Sequence, residues 1–358
     1  MSTIYDSVDE LKEMLFGKQT MGYDEVIKKI NNDVKSGRVS MPPQYLMMKV
    51  TNLCNSDCIY CNHAKSRTQY EKKEKISLEQ VLSIIDQAAE LGVKAISISG
   101  GEPLVRNDIE VMIERIVSHK IVPVLLTNGV FLKERAESLY KHGLRYFIVS
   151  IDSLNEDEYL YQRGIKIDPV LEGVKILQNL REKDPSLKIH ITPVITAKNI
   201  LHMPEMVESF SKKQISLQFS PYHVFTYLRE DPLAAFKKNE VEEIIERLIK
   251  MKQQGYLIAN SEAFLKHFKP FMCDRQIVPK GYNCLAGYST IYVDTYENVL
   301  PCWNGGLGAI GNLKEKSLSQ IWYSEQYQRC RNKMKACQCP GCWLLCTGEL
   351  TIMTEGRE

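Results

Sequence analysis

Three thiols fall within eight residues in Cys54-Asn55-Ser56-Asp57-Cys58-Ile59-Tyr60-Cys61, a C-x3-C-x2-C spacing. A loop can wrap its sulfurs around one metal centre in a way that an extended strand cannot. Three thiolates leave a cubane iron–sulfur cluster one ligand short of its usual four, so the fourth iron keeps an open position where a substrate or cofactor can coordinate. A structural zinc site is the competing reading. It wants four closed ligands, and His63, two residues past Cys61, would have to close it tightly.

A second set of thiols lies between residues 281 and 350. Cys284 and Cys302 bracket a hairpin whose strands read as Ser289–Asp294 and Asn298–Leu300, with a turn at Thr295–Glu297, and the hairpin brings both thiols to one end. Cys337, Cys339, Cys342 and Cys346 follow. Two hairpin thiols plus a C-x2-C pair suit a four-cysteine centre. Cys284 and Cys302 lead the set, Cys339 and Cys342 complete it, and Cys346 is the rival. Four thiolates alone suit zinc as well as iron. Cys273, beside Asp274 and Arg275, lies outside both spacings; it is either a core thiol or a hydrogen-atom donor that meets the substrate.

The elements that must carry these residues follow from periodicity. Strands are expected at 45–50, 94–99, 122–126, 145–151, 187–194 and 215–219, with amphipathic helices between them, for example 78–90 and 107–118. Such alternation implies parallel strands with right-handed crossovers, and ligands gather at the carboxyl ends of such strands. The first loop follows the first strand. The second strand ends in Gly100-Gly101-Glu102-Pro103, where two glycines allow close backbone approach and Pro103 keeps Glu102 extended. That carboxylate can accept hydrogen bonds from an ammonium group. Asn128, Ser150 and Asp152 end the third and fourth strands, where capping of the next helix is the alternative role. Arg163, in Gln162-Arg163-Gly164, can grip a carboxylate with both arms or serve a surface ion pair. His190 and His223 read as structural, and Tyr222 and Arg229 as candidates for the substrate mouth.

The cysteine loop, with Tyr60 before its last thiol, resembles the cluster-binding loop of the radical S-adenosylmethionine (SAM) enzymes, and Gly100-Gly101-Glu102 resembles that family's motif for the SAM amino group. The resemblance implies an α/β fold, a partial (β/α)6 barrel. It implies that Cys54, Cys58 and Cys61 hold a [4Fe-4S] cluster, and that Tyr60, Gly100, Gly101, Glu102, Asn128, Ser150, Asp152 and Arg163 surround SAM. The reduced cluster would cleave SAM to methionine and a 5′-deoxyadenosyl radical, which takes a hydrogen atom from the substrate. An external reductant such as flavodoxin or ferredoxin is implied. The second thiol set, with Ile310-Gly311-Asn312-Leu313 between its parts, resembles SPASM/twitch extensions and implies one auxiliary [4Fe-4S] cluster. It departs from the full seven-cysteine pattern, and Asn298 stands where relatives usually carry glycine.

The domains expected are a helical preface at 1–44, the core at 45–222, a helical bridge at 223–280 and the cysteine-rich region at 281–358. The 358 residues, 44% hydrophobic and 25% charged, are ordinary for a globular protein. A net charge of +2 gives no field for nucleic acid, and no apolar run suffices for a membrane span, so a cytoplasmic enzyme is expected. Oxidation of a small polar substrate such as a sugar or aminocyclitol is the leading activity. Maturation of a ribosomally made peptide is the second, and a non-catalytic iron–sulfur or zinc scaffold the third. The Gly-Gly-Glu cradle argues against the scaffold.

Overall fold

The expected apolar runs pair as parallel strands. Tyr45–Lys49 (β1), Ala95–Ser99 (β2), Val122–Thr127 (β3), Tyr146–Val149 (β4) and Lys188–Ile191 (β5) lie side by side in chain order. Val194–Ile195 (β6) follows, then Ser216–Leu217 (β7), which pairs with β5, and Ser220–Pro221 (β8), which pairs with β6. The single strand expected at 187–194 is broken at Pro193, which has no N–H to give to a ladder. The structure is a computed structural model that describes residues 12, 22–61, 76–223, 231–274, 284–303, 306–336, 338–339 and 341–355. Residues 1–11 and 13–21 of the expected helical preface, and the placement of His63 and Arg229, lie outside those residues.

Local chemistry sets the helix between β1 and β2. Ser77 and Gln80 form a reciprocal capping box at the start of Leu78–Leu91, and Gly92 ends it in the left-handed conformation. Val81, Ile84, Ile85 and Ala88 form its buried stripe. The outer face of the sheet packs on such helices through Leu125, Phe147 and Val149. The alternate residues Val124, Tyr146 and Ile148 face the opposite side. There they meet Val26, Ile30 and Val34 of the helix Tyr23–Ser36, together with Leu285, Tyr288 and Leu350. The described part of the preface therefore lines that side of the sheet.

The C-terminal hairpin, Thr290–Val293 (β9) and Asn298–Leu300 (β10), forms where expected but does not stand apart. β9 pairs in parallel with β1, from Tyr45↔Thr290 to Met48↔Val293, and Gly311–Asn312 (β11) adds beyond β10. The sheet order is β11-β10-β9-β1-β2-β3-β4-β5-β7, an open sheet rather than a closed barrel. Asn298, in place of glycine, uses its side chain here: its Nδ2 donates to Asp294 Oδ2 at 3.0 Å, and its Oδ1 accepts from Asn312 Nδ2 at 3.0 Å.

The two histidines are structural. His190 Nδ1 lies 2.6 Å from Ser216 Oγ across the β5–β7 register, and His223 Nε2 accepts the backbone N–H of Trp343 at 3.0 Å. Tyr222 donates to Asp231 at 2.6 Å.

Candidate active site

The first cysteine loop runs from the end of β1 and is clamped from two sides by backbone. On one side, Gly101 N donates to Thr51 O at 2.9 Å and Glu102 N to Leu53 O at 2.8 Å. On the other, Asp57 N donates to Arg163 O at 3.1 Å and Ile59 N to Gln162 O at 3.0 Å. A Cβ on Gly101 would sit 2.2 Å from Leu53 O, and one on Gly100 2.5 Å from Thr51 O. These glycines thus make room for the cysteine loop itself, besides any ligand. Gly164 (φ +66°) closes the helix Glu156–Arg163 directly against Asp57.

Cys54, Cys58, Cys61, Tyr60, Gly100, Gly101, Glu102, Asn128, Ser150 and Arg163 all line one pocket at the carboxyl ends of the strands. Glu102 is only 1% exposed. Its carboxylate accepts from Leu104 N at 3.0 Å, Thr127 Oγ1 at 2.7 Å and Asn128 N at 2.6 Å. Those use three of about four lone-pair directions. Burial pushes the Glu102 carboxyl above its ordinary value even against these bonds, so a facing ammonium group would meet an under-compensated acid. Asn128 Nδ2 also donates to Asn55 Oδ1 at 2.7 Å, tying the loop to β3.

Three expectations change. Asp152 is fully buried and does not line the pocket. Its carboxylate accepts from Arg163 Nε at 2.7 Å, Arg163 Nη2 at 3.0 Å, Val194 N at 2.8 Å and the Tyr60 hydroxyl at 2.5 Å. These four bonds leave it little capacity for a cofactor. The same pair takes up the forked face of Arg163, so that fork is not open to a cofactor carboxylate. Cys273 ends the helix Phe268–Cys273, away from the pocket wall, with Lys238 and Asp274 as charged neighbours.

Sequence reasoning missed Ser56, Ser99, Thr127 and Val194, which also line the pocket. Thr127 was within reach of it, lying beside Asn128; nothing in the pattern marks the others. Ser56 Oγ lies 3.1 Å from Cys58 Sγ and donates to Arg163 O at 2.6 Å. Burial raises the Cys58 thiol, with Arg163 and the Ser56 bond opposing. Lys49, paired in register with Ser99, extends over the Trp303 ring at 4.4 Å. Burial lowers its ammonium pKa, against the charges of Asp294 and Cys61.

The second thiol set also converges. Burial pushes the Cys284 thiol well up, and the neighbouring Cys342, Cys302 and Cys339 act in the same direction, while a backbone bond from Ala286 opposes. Cys330, unremarked in the sequence reading, is buried on the helix Glu325–Lys335; burial, then Cys302 and Cys339, push its thiol up to about 11. Cys346 belongs to the helix Leu345–Glu355, and its side chain and Cys337 lie outside the description. Among the described residues, no three His, Cys, Asp or Glu side chains converge tightly enough to hold a single metal ion. The all-thiol donor sets fit iron–sulfur ligation, and the acid-bearing pocket beside the first set fits an amino-acid cofactor.

Residues 48–210 match the profile of the Radical SAM superfamily, and residues 284–343 match SPASM, an iron–sulfur cluster-binding domain. The GTP 3′,8-cyclase of Thermodesulfovibrio yellowstonii is 31% identical over 245 residues, covering 63% of this chain and 74% of that one. The chain belongs to the radical SAM superfamily. The GTP 3′,8-cyclase of Alkaliphilus oremlandii is 34% identical over 165 residues, 45% of this chain and 48% of its own length. The match thus spans about half the length of that curated relative. Among solved structures, Streptococcus suis SuiB bound to its precursor peptide SuiA superposes with a TM-score of 0.66 at 20% identity, over 93% of this chain and 77% of that one. AdoMet-bound anSMEcpe gives 0.63 at 16% identity, over 88% and 95%. These structures share the fold. As a radical SAM enzyme with a SPASM domain, the chain uses a SAM-binding [4Fe-4S] cluster, SAM and an auxiliary iron–sulfur cluster. Among the described residues, no helix is long and apolar enough to cross a membrane.

Proposed function

We propose that this radical SAM enzyme oxidises a small polar substrate, taking a hydrogen atom at the first centre and passing an electron to one auxiliary [4Fe-4S] cluster. The observation that carries this reading is the pairing of β9 with β1, which builds the segment between Cys284 and Cys302 into the same sheet that carries the first cysteine loop. The curated relatives named above act, by their names, on GTP, a small polar molecule, and this supports the substrate half.

In this reading Cys54, Cys58 and Cys61 would hold the first cluster, and three thiolates would leave one of its four irons without a protein ligand. When bound, that cluster and SAM supply one-electron cleavage chemistry that ends in hydrogen-atom abstraction. Glu102, beside the close backbone of Gly100 and Gly101, would accept from the SAM amino group through its remaining lone pair. Asn128 and Ser150, which line the same pocket, would face its ribose side. Tyr60, Asp152 and Arg163 hold the loop and the pocket wall. Cys284, Cys302, Cys339 and Cys342 hold the auxiliary cluster. Lys49, over the Trp303 ring and within the electrostatic reach of Asp294 and Cys61, offers a cation to an anionic substrate group.

The test is anaerobic reconstitution, reduction and addition of SAM, with 5′-deoxyadenosine and iron measured in the intact protein and in a Cys54→Ala/Cys58→Ala/Cys61→Ala variant. Cleavage lost in the variant, with about four irons retained, supports the two-centre assignment. Zinc at both sites would sink it. A panel of nucleotides, sugars and aminocyclitols then tests the substrate half. Turnover only with a peptide encoded beside the gene would replace that half by peptide maturation.

A further inference from the structure

We propose that Ser56 sets the reduction potential of the first centre by hydrogen bonding to the sulfur of Cys58. This rests on the reading that Cys54, Cys58 and Cys61 hold that centre. Ser56 is 3% exposed, so its hydroxyl has protein partners rather than bulk water. Its oxygen lies 3.1 Å from Cys58 Sγ and 2.6 Å from the Arg163 carbonyl. That carbonyl is held in place. It also accepts Asp57 N–H at 3.1 Å, and the Arg163 side chain is fixed by Asp152 through two bonds.

The hydroxyl carries one proton and faces two acceptors. As a thiol, Cys58 has two acceptors within reach, Ser56 Oγ at 3.1 Å and Arg163 O at 3.9 Å, while Ser56 donates to Arg163 O. As a thiolate ligand, Cys58 can only accept, and the Ser56 proton is then shared between sulfur and carbonyl. One-electron reduction adds negative charge to the ligand sulfurs, so the bond to Cys58 strengthens in the reduced state. Hydrogen bonds to ligand sulfur and exclusion of water are established levers on cluster potential. The hydroxyl therefore favours the reduced form and raises the midpoint potential. Ser56 acts through Cys58 and is a positioning residue rather than a catalytic one.

The experiment uses the full chain with both centres reconstituted. Dithionite titration is followed by electron paramagnetic resonance, and the first centre is identified as the signal that SAM perturbs. In Ser56→Ala the ratio of reduced to oxidised first centre at fixed ambient potential should fall about tenfold, a shift of about 59 mV to more negative potential for a one-electron couple. Ser56→Thr, which keeps the hydroxyl, should titrate like the parent. An unchanged midpoint in Ser56→Ala at full iron content overturns the proposal. So does loss of iron in Ser56→Ala, whether or not Ser56→Thr retains it, because the serine would then hold the loop rather than tune its sulfur. A SAM-perturbed signal that persists in Cys54→Ala/Cys58→Ala/Cys61→Ala protein would instead break the underlying ligand assignment.

Discussion

The two thiol sets are built by opposite means. The first is local: three cysteines in eight residues, shaped by backbone bonds to Gly101, Glu102, Gln162 and Arg163. The second is assembled from chain segments far apart and held by side chains. Buried Arg331 donates to Gly287 O at 2.6 Å and Trp322 O at 2.8 Å, behind the segment that begins at Cys284. Trp343, next to Cys342, gives its backbone N–H to His223 and its indole N–H to Phe264 O at 3.1 Å. A backbone clamp depends on the absence of a Cβ at particular positions. A side-chain scaffold depends on burial and protonation. The two sets should therefore fail under different perturbations.

The largest effect is expected from Gly101→Ala. Its Cβ would overlap the Leu53 carbonyl, which is backbone and can yield only by moving the loop. Iron counting should show the first centre lost and the second kept. Equal loss from both would erase the distinction between the sets. Asp152→Asn comes next, because it leaves the buried Arg163 charge without its carboxylate. The expected cost is about 3–5 kcal/mol in denaturant unfolding of the apo protein, with iron loss again confined to the first set. A cost near zero would show that the pair does not brace the loop.

The second set should respond to acid. Burial lowers the His223 imidazole to about 4, against a backbone bond with Pro221. As pH falls through the ordinary value of 6.5, the unfolded chain binds a proton that the folded chain refuses until about 4. Stability is thus lost across that window, by up to about 3 kcal/mol. Glu349, pushed up to about 7 by burial, gives the opposite slope between 4.5 and 7. The readout is therefore the difference between the parent and His223→Gln, which should narrow as pH falls. A difference that is flat from pH 7 to 4 would refute the buried neutral imidazole. The smallest effect concerns Cys330: Cys330→Ala should leave the second iron complement intact, whereas Cys284→Ala should remove it. Iron loss in Cys330→Ala would bring this helix thiol into the ligand set in place of Cys339.

The same contrast governs what the sequence made legible. The first loop, the apolar runs that form β1 to β5 and the Gly-Gly-Glu turn are legible because each is carried by neighbouring residues with a fixed spacing. The glycines, however, read from spacing as room for a ligand, and the loop pressed against them appears only once β1 and β2 are paired. Asp152 and Arg163 read as cofactor contacts because both lie at the productive edge. Their mutual pairing depends on how the helix Glu156–Arg163 folds back, and no local pattern encodes that. In the second set the hairpin was legible from its turn, whereas Cys330 carries no spacing signal and is brought in by helix packing.

The parallel pairing of β9 with β1 also bears on dissection of the protein. Without residues 284–358, β1 would present an open row of N–H and C=O groups beside Met47, Leu46 and Met48, flanked by no covering strand. A truncated single-cluster version is therefore expected to expose a sticky sheet edge and to self-associate, so the two centres have to be separated by point substitution rather than by cutting the chain.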